Sequence, residues 1–446
     1  MGTSTQTGGR PATNAVITGG ATIAVGKPAS APPPGFDWLP LSDLARLETG
    51  HTPSRRNPEY WGGVIPWVGI RDATGNHGRT IYGTNQTVTQ VGIDNSSARV
   101  LPPGTVCLSR TASVGYVVVM GVPMATSQDF VNWVCGSELD PYYLKYILQS
   151  ERDTLLRFAS GTTHQTVYFP EVKAFHALLP PMERQRSIAA TLGVLDAKIE
   201  SNLRVQALIE LLGGALLEAV LAFDAYGFPA YDADHQLSDY LLVLETGSRP
   251  RGGVSVATEG VVSLGAESIQ SAGFTSTGAF KKVSADYASS MRRGHLESED
   301  ILVYKDGGRP GNFIPHISAF GHGFPVECAV INEHVYRVRA GNGFSQALLY
   351  WVLRSAWMDQ EMRKRGTGVA VPSLNSANFR ELPVPVIASA HAQMLNDKLS
   401  PLLTALLRLG AQNRRLAELR DTLLPELLSG RIRVPEAEEV VAEVIS

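Results

Sequence analysis

The chain is written twice: one pattern of short motifs recurs in the same order at a nearly steady offset. Leu41-Ser42-Asp43 leads to Leu47-Glu48-Thr49-Gly50, and Leu237-Ser238-Asp239 leads, with one extra residue, to Leu244-Glu245-Thr246-Gly247. A basic turn follows each, Thr52-Pro53-Ser54-Arg55-Arg56 in the first copy and Ser248-Arg249-Pro250-Arg251 in the second. The run 101–110 parallels 296–305, 141–148 parallels 345–353, Gly161-Thr162 parallels Gly366-Thr367, and Leu179-Pro180-Pro181 parallels Leu382-Pro383-Val384-Pro385. The offset is 197 residues between Leu47 and Leu244 and 205 between Gly161 and Gly366. A duplicated domain with small insertions leaves such a trail.

Each copy changes character halfway. Residues 36–136 are short β-rich runs such as Val117-Val118-Val119-Met120, broken by Gly, Pro and Asn. A helical stretch follows at 141–158, and 182–222 reads as one long helix, with Ile188, Leu192, Leu195, Ile199, Leu203, Ala207 and Leu211 spaced by three and four. The second copy ends alike. Leu395, Leu399, Leu402, Leu406, Leu409, Leu416, Leu423 and Leu427 approach a heptad seam, interrupted at Asn413 and Arg420. A helix of about 40 residues spans about 60 Å, and its apolar stripe needs a partner. Either the two like helices pair, or each packs on its own domain. Gly213-Gly214 counts against a smooth rod and is expected to bend or end the first helix.

The expected organisation is therefore a disordered tail at 1–35, a first lobe at 36–181, a spacer helix at 182–222, a linker at 223–236, a second lobe at 237–388, a second spacer helix at 389–430 and a frayed acidic tail at 431–446. The tail at 1–35 is Gly, Thr, Ala and Pro, closing on Ala31-Pro32-Pro33-Pro34-Gly35.

Composition removes several classes. Lys and Arg number 39 against 42 Asp and Glu, a net charge of −3 that excludes a uniformly basic coat but not local basic patches. Cys107, Cys135 and Cys328 are far apart and form no CxxC pair, which fits a reducing cytosol. No run of about 18 uncharged apolar residues suggests a membrane span, and no basic-then-apolar leader suggests secretion. A cytoplasmic location is expected.

Catalytic motifs fail one by one. Asn57-Pro58-Glu59-Tyr60 resembles the Asn-Pro-Pro-Tyr of adenine methyltransferases but lacks the second proline. Gly20 to Gly26-Lys27 is one residue too long for a phosphate loop, with Pro28 in place of Ser or Thr. Glu171-Val172-Lys173 lacks a preceding Pro-Asp. The ten histidines show no HExxH. Glu48 and Glu245 recur but sit before a Gly turn, a structural place. No catalytic residue and no metal site is expected, and the chain reads as a binder.

Two similar surfaces on one chain suit double-stranded DNA, whose grooves repeat about every 34–36 Å. The β-rich lobes differ much more between copies than the helices do, as expected if they read different sequences. Candidate contacts lie in basic, Gly-rich turns: Arg55, Arg56, Arg71, Arg79 and Arg110 in the first lobe, and Arg249, Arg251, Lys281, Lys282, Arg292, Arg293, Lys305 and Arg309 in the second. Arg can grip guanine with two bonds, and either cation can hold phosphate. Against this, residues 37–150 carry eight Lys or Arg and nine Asp or Glu, so a plain solvated role competes at each position. Ile188, Leu192, Leu195, Ile199 and Leu203 are expected to pack the first spacer helix, and Leu399, Leu402, Leu406, Leu409 and Leu416 the second.

From about residue 36 to 433 the chain resembles the specificity (S) subunits of Type I restriction–modification systems. The residues that carry the likeness are Leu41-Ser42-Asp43 with Thr49-Gly50, Ile65-Pro66-Trp67-Val68, Pro102-Pro103-Gly104-Thr105, Gly161-Thr162 with Phe169, and Leu427-Leu428-Ser429-Gly430. Most specific is the ladder Pro180-Pro181, Gln185, Ile188, then Leu195-Asp196, Ile199, Asn202. The second copy departs from it at Pro385-Val386-Ile387-Ala388, which lacks the Gln. The resemblance implies an α+β fold: two β-rich target recognition domains in pseudo-twofold arrangement, separated by two long helices forming an antiparallel coiled coil. It implies that each domain reads half of a bipartite DNA target and that the coiled coil sets the gap. It also implies that two methylation subunits, binding S-adenosylmethionine, and a restriction subunit, using ATP, act as partners. No cofactor is then expected on this chain. Two other readings stay open, a coiled-coil adaptor without a DNA role and an uncharacterised enzyme with duplicated lobes.

Overall fold

The computed structural model describes residues 20–159, 165–251, 259–269, 272, 280–309, 311–368 and 372–445. Gly161 and Thr162 lie outside the described residues. The chain forms two compact units, Met1–Ala197 with Ala417–Ser446, and Lys198–Leu416. Both long helices contribute to both units.

The first unit centres on a five-stranded sheet in the order Ala45–Thr49, Phe130–Cys135, Val106–Ser109, Val117–Met120, Thr80–Ile81. The middle strands are buried on both faces, which explains their unbroken apolar runs. A smaller sheet orders Gln86–Val88, Trp61–Val68 and Ala125–Thr126, the last two parallel. Helix Pro141–Ser150 covers the core. Its start is set by Pro141 at the first helical position and by the Asp140 carboxylate, which accepts from the Tyr142 and Tyr143 N–H groups.

The second unit repeats this plan. Leu241–Thr246, Val335–Ala340, Ile301–Tyr304 and His316–Ala319 form a four-stranded sheet, and Lys282–Val283, Val261–Leu264 and Ala329–Ile331 the smaller one, again ending in a parallel pair. Helix Gln346–Arg354 stands where Pro141–Ser150 stands, capped by Ser345. The expected duplication is therefore a duplication of topology.

The long helices run Met182–Glu218 and Ser389–Ser429. In the second unit Asn202 Nδ2 donates to Gln412 Oε1 at 2.9 Å and Asn413 Oδ1 at 2.8 Å, and Gln206 Nε2 donates to the Leu406 carbonyl at 3.2 Å. In the first unit Arg420 Nη1 donates to Asp196 Oδ1 at 2.9 Å. Rising numbers on one helix meet falling numbers on the other, so the segments run antiparallel.

Several expectations need correction. Ile23–Val25, placed in the disordered tail, is a fully buried strand paired with Phe175–Leu179. Its partner lies some 150 residues downstream in sequence, so no local pattern announces it. Residues 231–236, placed in the linker, form a strand paired with Pro383–Pro385. The acidic tail contains helix Val434–Ile445, which buries Ala437 and Val441 at helical spacing and turns Glu438, Glu439 and Glu443 outward. The first helix ends at Glu218 and passes straight through Gly213-Gly214. Ile188, Leu192, Leu195, Leu399, Leu406 and Leu416 are buried as expected. Ile199, Leu203, Leu402 and Leu409 are only half-buried. From residue 202 the inward positions of the first helix are Asn202 and Gln206, while Ala207 and Leu211 face solvent. A polar layer carries the seam where an apolar one was expected.

Candidate nucleic-acid interface

In the first unit, loops gather at one end of the sheets because the strands they leave end in register. Thr49 pairs with Val131, Ser109 with Phe130, and Val68 with Thr126. Backbone bonds then tie the loops together: His51 N–H to the Thr126 carbonyl at 2.9 Å, Ser127 N–H to Val68 at 3.0 Å, and Arg110 N–H to Asp129 at 2.8 Å. Gly50 is required here, since a Cβ would lie 1.9 Å from the Ser127 carbonyl oxygen. Arg55 lies over Trp61, 3.9 Å from the ring centroid, and donates to Gln86 Oε1 at 2.8 Å. Trp61 Nε1 donates to the Ser54 carbonyl at 3.3 Å and Trp67 Nε1 to that of His51 at 3.1 Å, so two indoles pin the basic turn.

The second unit builds the same end from the corresponding loops. Thr246 pairs with Tyr336, Tyr304 with Val335, and Leu264 with Ile331. A Cβ on Gly247 would lie 1.6 Å from the Ile331 carbonyl oxygen. Gly294 N–H donates to Glu245 Oε1 at 3.0 Å, which brings Arg292-Arg293 to this rim. Here the cations meet acids. Arg249 Nε stands 2.7 Å from Glu333 Oε1, Lys305 Nζ 2.9 Å from Asp306 Oδ2, and Lys281 Nζ 3.0 Å from Glu267 Oε1. His334 bridges the two rim acids, Nδ1 at 2.6 Å from Asp306 and Nε2 at 3.3 Å from Glu333. Burial pushes the Asp306 carboxyl up, but bonds from Ser373, His334 and Lys305 outweigh it and hold the group below the usual carboxylate range.

The rims are of like construction, and each by itself carries exposed arginines that suit a polyanion. Residues 34–211 match the family model described as Type I restriction modification DNA specificity domain. The chain is 23% identical to the Type I restriction enzyme MjaIX specificity subunit of Methanocaldococcus jannaschii over 438 residues, 91% of this chain and 95% of that one. Along nearly its whole length the chain resembles the Type I specificity subunits. That likeness points to DNA sequence recognition. The HindI specificity subunit of Haemophilus influenzae is 31% identical over 134 residues, 29% of this chain and 28% of its own length. A crystal structure of the Type I S subunit from M. genitalium matches the fold with a TM-score of 0.51 at 16% identity, covering 88% of this chain and 96% of that one. The α+β fold with two β-rich lobes and two long helices is the one expected.

The candidate contacts separate by what already holds them. Arg56 and Arg71 in the first lobe, and Arg251, Arg292, Arg293 and Arg309 in the second, are exposed and have no side-chain partner among the described residues. Arg55, Arg249 and Lys281 are exposed but engaged, and Lys305 is half-buried and engaged. Arg110 is half-buried against Phe169, 4.7 Å from the ring centroid, and donates to the Gln128 carbonyl at 3.1 Å; burial holds its pKa below the ordinary arginine value. It braces the loops and is a poor base reader. Arg79 and Lys282 are half-buried and engaged within the protein, Arg79 beside the strand at the opposite edge of the sheet from the basic turn.

Glu48 and Glu245 are structural: Arg46 and Arg99 hold the first, Arg337 and the Gly294 N–H the second. Sequence reasoning missed Trp61, Gln86, Glu333 and His334. Extending the repeat at its offset of 205 residues aligns Gln128 with Glu333 and would have drawn attention to both. Among the described residues no cluster of His, Cys, Asp or Glu could hold a metal ion. No helix among them is long and apolar enough to cross a membrane.

Proposed function

We propose that this chain reads a bipartite DNA target, one half with each lobe, and brings methylation subunits, and through them a restriction subunit, to that site. The carrying observation is the pair of rims. The same loops, on the same register of strands, present different side chains: an arginine braced by indoles and an amide in the first lobe, and an arginine and two lysines countered by acids in the second. Equal scaffolds with unequal contact sets suit two unlike half-sites. Val205, Leu208, Leu211 and Leu212 stand exposed on the first long helix, a face that a partner subunit would cover. The chemistry, with S-adenosylmethionine and ATP, would then belong to the partners. Mapping of methylated adenines genome-wide, with and without this chain, tests the reading. A two-part motif should vanish on deletion, and the double variant Arg292→Gln, Arg293→Gln should weaken methylation at that motif. A methylome unchanged by deletion would end it.

A further inference from the structure

Glu333 occupies an unusual position for a carboxylate. It sits in the loop between Ala329–Ile331 and Val335–Ala340, at the rim that carries Arg249, Arg292 and Arg293. Its Oε1 is the ion-pair partner of Arg249 and lies within 3.3 Å of His334 Nε2. His334 is itself tied to Asp306, and Asp306 to Lys305, so the loops bearing the two cations are joined through two acids and one imidazole. The first lobe has no such ion pair among its described residues; the acid of its corresponding loop, Asp129, accepts from the Ser127 hydroxyl at 3.1 Å. At the corresponding place it carries Gln128, whose Oε1 accepts from the Thr52 hydroxyl. The acid is therefore not a requirement of the shared scaffold.

We propose that Glu333 is a specificity-determining residue of the second lobe: it keeps Arg249 in an internal ion pair and sets a like charge against the phosphate backbone, so that non-cognate DNA is refused. If Arg249 leaves Glu333 for a phosphate, His334 Nε2 is the neighbour that remains at that oxygen, and a further donor is needed to replace the lost ion pair. In the major groove that donor is an exocyclic amino group, the N4 of cytosine or the N6 of adenine, which donates to a carboxylate. A non-cognate base offers no donor there, so Arg249 stays on Glu333 and the phosphate contact is not made. Discrimination through a repulsive group is a general device. The proposal rests on the DNA-reading function above.

The test uses the full chain assembled with its methylation subunit, with labelled duplexes carrying the methylome-defined target or a scrambled one, over a salt series. Glu333→Gln keeps the shape and removes the charge. It should raise affinity for the scrambled duplex about threefold to fivefold, the worth of an exposed ion pair. It should also steepen the salt dependence by about one phosphate contact and lower the ratio of cognate to scrambled binding. Adding Arg249→Gln should abolish the gain, because the released cation is what makes the new contact. Asp397→Asn removes one negative charge from an exposed position on the second long helix and should leave the ratio unchanged. Unchanged or weaker scrambled binding by Glu333→Gln overturns the proposal, as does an equal gain from Asp397→Asn. A wild-type complex that binds neither duplex would instead sink the DNA-reading function.

Discussion

Gly213 shows how a residue can be misjudged from its neighbours. Two adjacent glycines weaken a helix by their own propensity, yet the first long helix continues through them. The reason is across the packing interface. A Cβ at position 213 would lie 2.0 Å from Trp351 Cε2 and 2.1 Å from its Nε1, and that indole nitrogen donates to the Glu210 carbonyl at 3.3 Å. Gly214 has no atom within 4 Å of its missing Cβ. Adjacent substitutions should therefore act oppositely. Gly213→Ala should destabilise by about 1–3 kcal/mol, the usual cost of overpacking. Gly214→Ala should stabilise by up to about 1 kcal/mol through helix propensity. Urea unfolding of the two full-length variants reads both signs, and two shifts of the same sign would contradict the packing account. The Leu-Glu-Thr-Gly glycines were legible, because their recurrence marked them. Gly213 was not, because its constraint comes from Trp351, which is remote in sequence.

At the scale of elements, the long helices were found by their spacing and their inner face was partly misread. Asn413 and Arg420 look like faults in a leucine seam. Each is a matched polar contact: Asn413 with Asn202 and Gln206, Arg420 with Asp196, which also accepts from Lys145 and Tyr146. Period and hydrophobicity show that a residue breaks a stripe, not that its mate stands opposite. Asn413→Leu should cost about 1–3 kcal/mol by leaving buried amides unsatisfied. Asn202→Leu with Asn413→Leu should recover part of that, because removing both partners is cheaper than removing one. Urea midpoints decide it, and a neutral single variant would mean that the layer adds nothing to stability.

The sheet carries a second element-scale prediction. His77 accepts the Val117 N–H at Nδ1, 3.1 Å away, which requires a neutral ring. Burial, then Arg152, Arg420 and Lys145, lower its pKa to about 4, against a small opposing pull from Asp421. The unfolded chain, titrating near 6.5, then binds more protons than the folded chain between pH 6.5 and about 4. Stability from this group is full above 6.5, falls as pH drops through that window, and loses nothing further below it. His77→Gln should flatten the decline, as read by urea midpoints at stepped pH. A variant that follows the wild-type curve would assign the decline to other groups.

At the scale of the whole molecule, charge sets the terms for binding. A net charge of −3 supplies no general attraction to DNA, so under the proposed function affinity comes from the two rims, each with only a few unengaged arginines among the described residues. Each phosphate contact contributes about 0.9 to the salt slope on duplex DNA, so one rim alone should bind weakly and lose its grip as salt rises. Two rims on one chain change the arithmetic. If each lobe reads one half-site as proposed, then once one half is held the other meets its lobe at the effective concentration of a tethered partner, a gain of about 10²–10⁴ without any new contact. A duplex with one half-site scrambled should therefore bind the assembled complex at least about 100-fold more weakly than the intact target. Its salt slope should fall by roughly half as one rim's phosphates drop out. Scrambling either half should cost a similar factor, because whichever contact is lost, the tethering is lost with it. Anisotropy titrations between about 50 and 200 mM salt give both quantities. A loss below tenfold, with an unchanged slope, would mean that one lobe does the binding and the duplication serves another purpose.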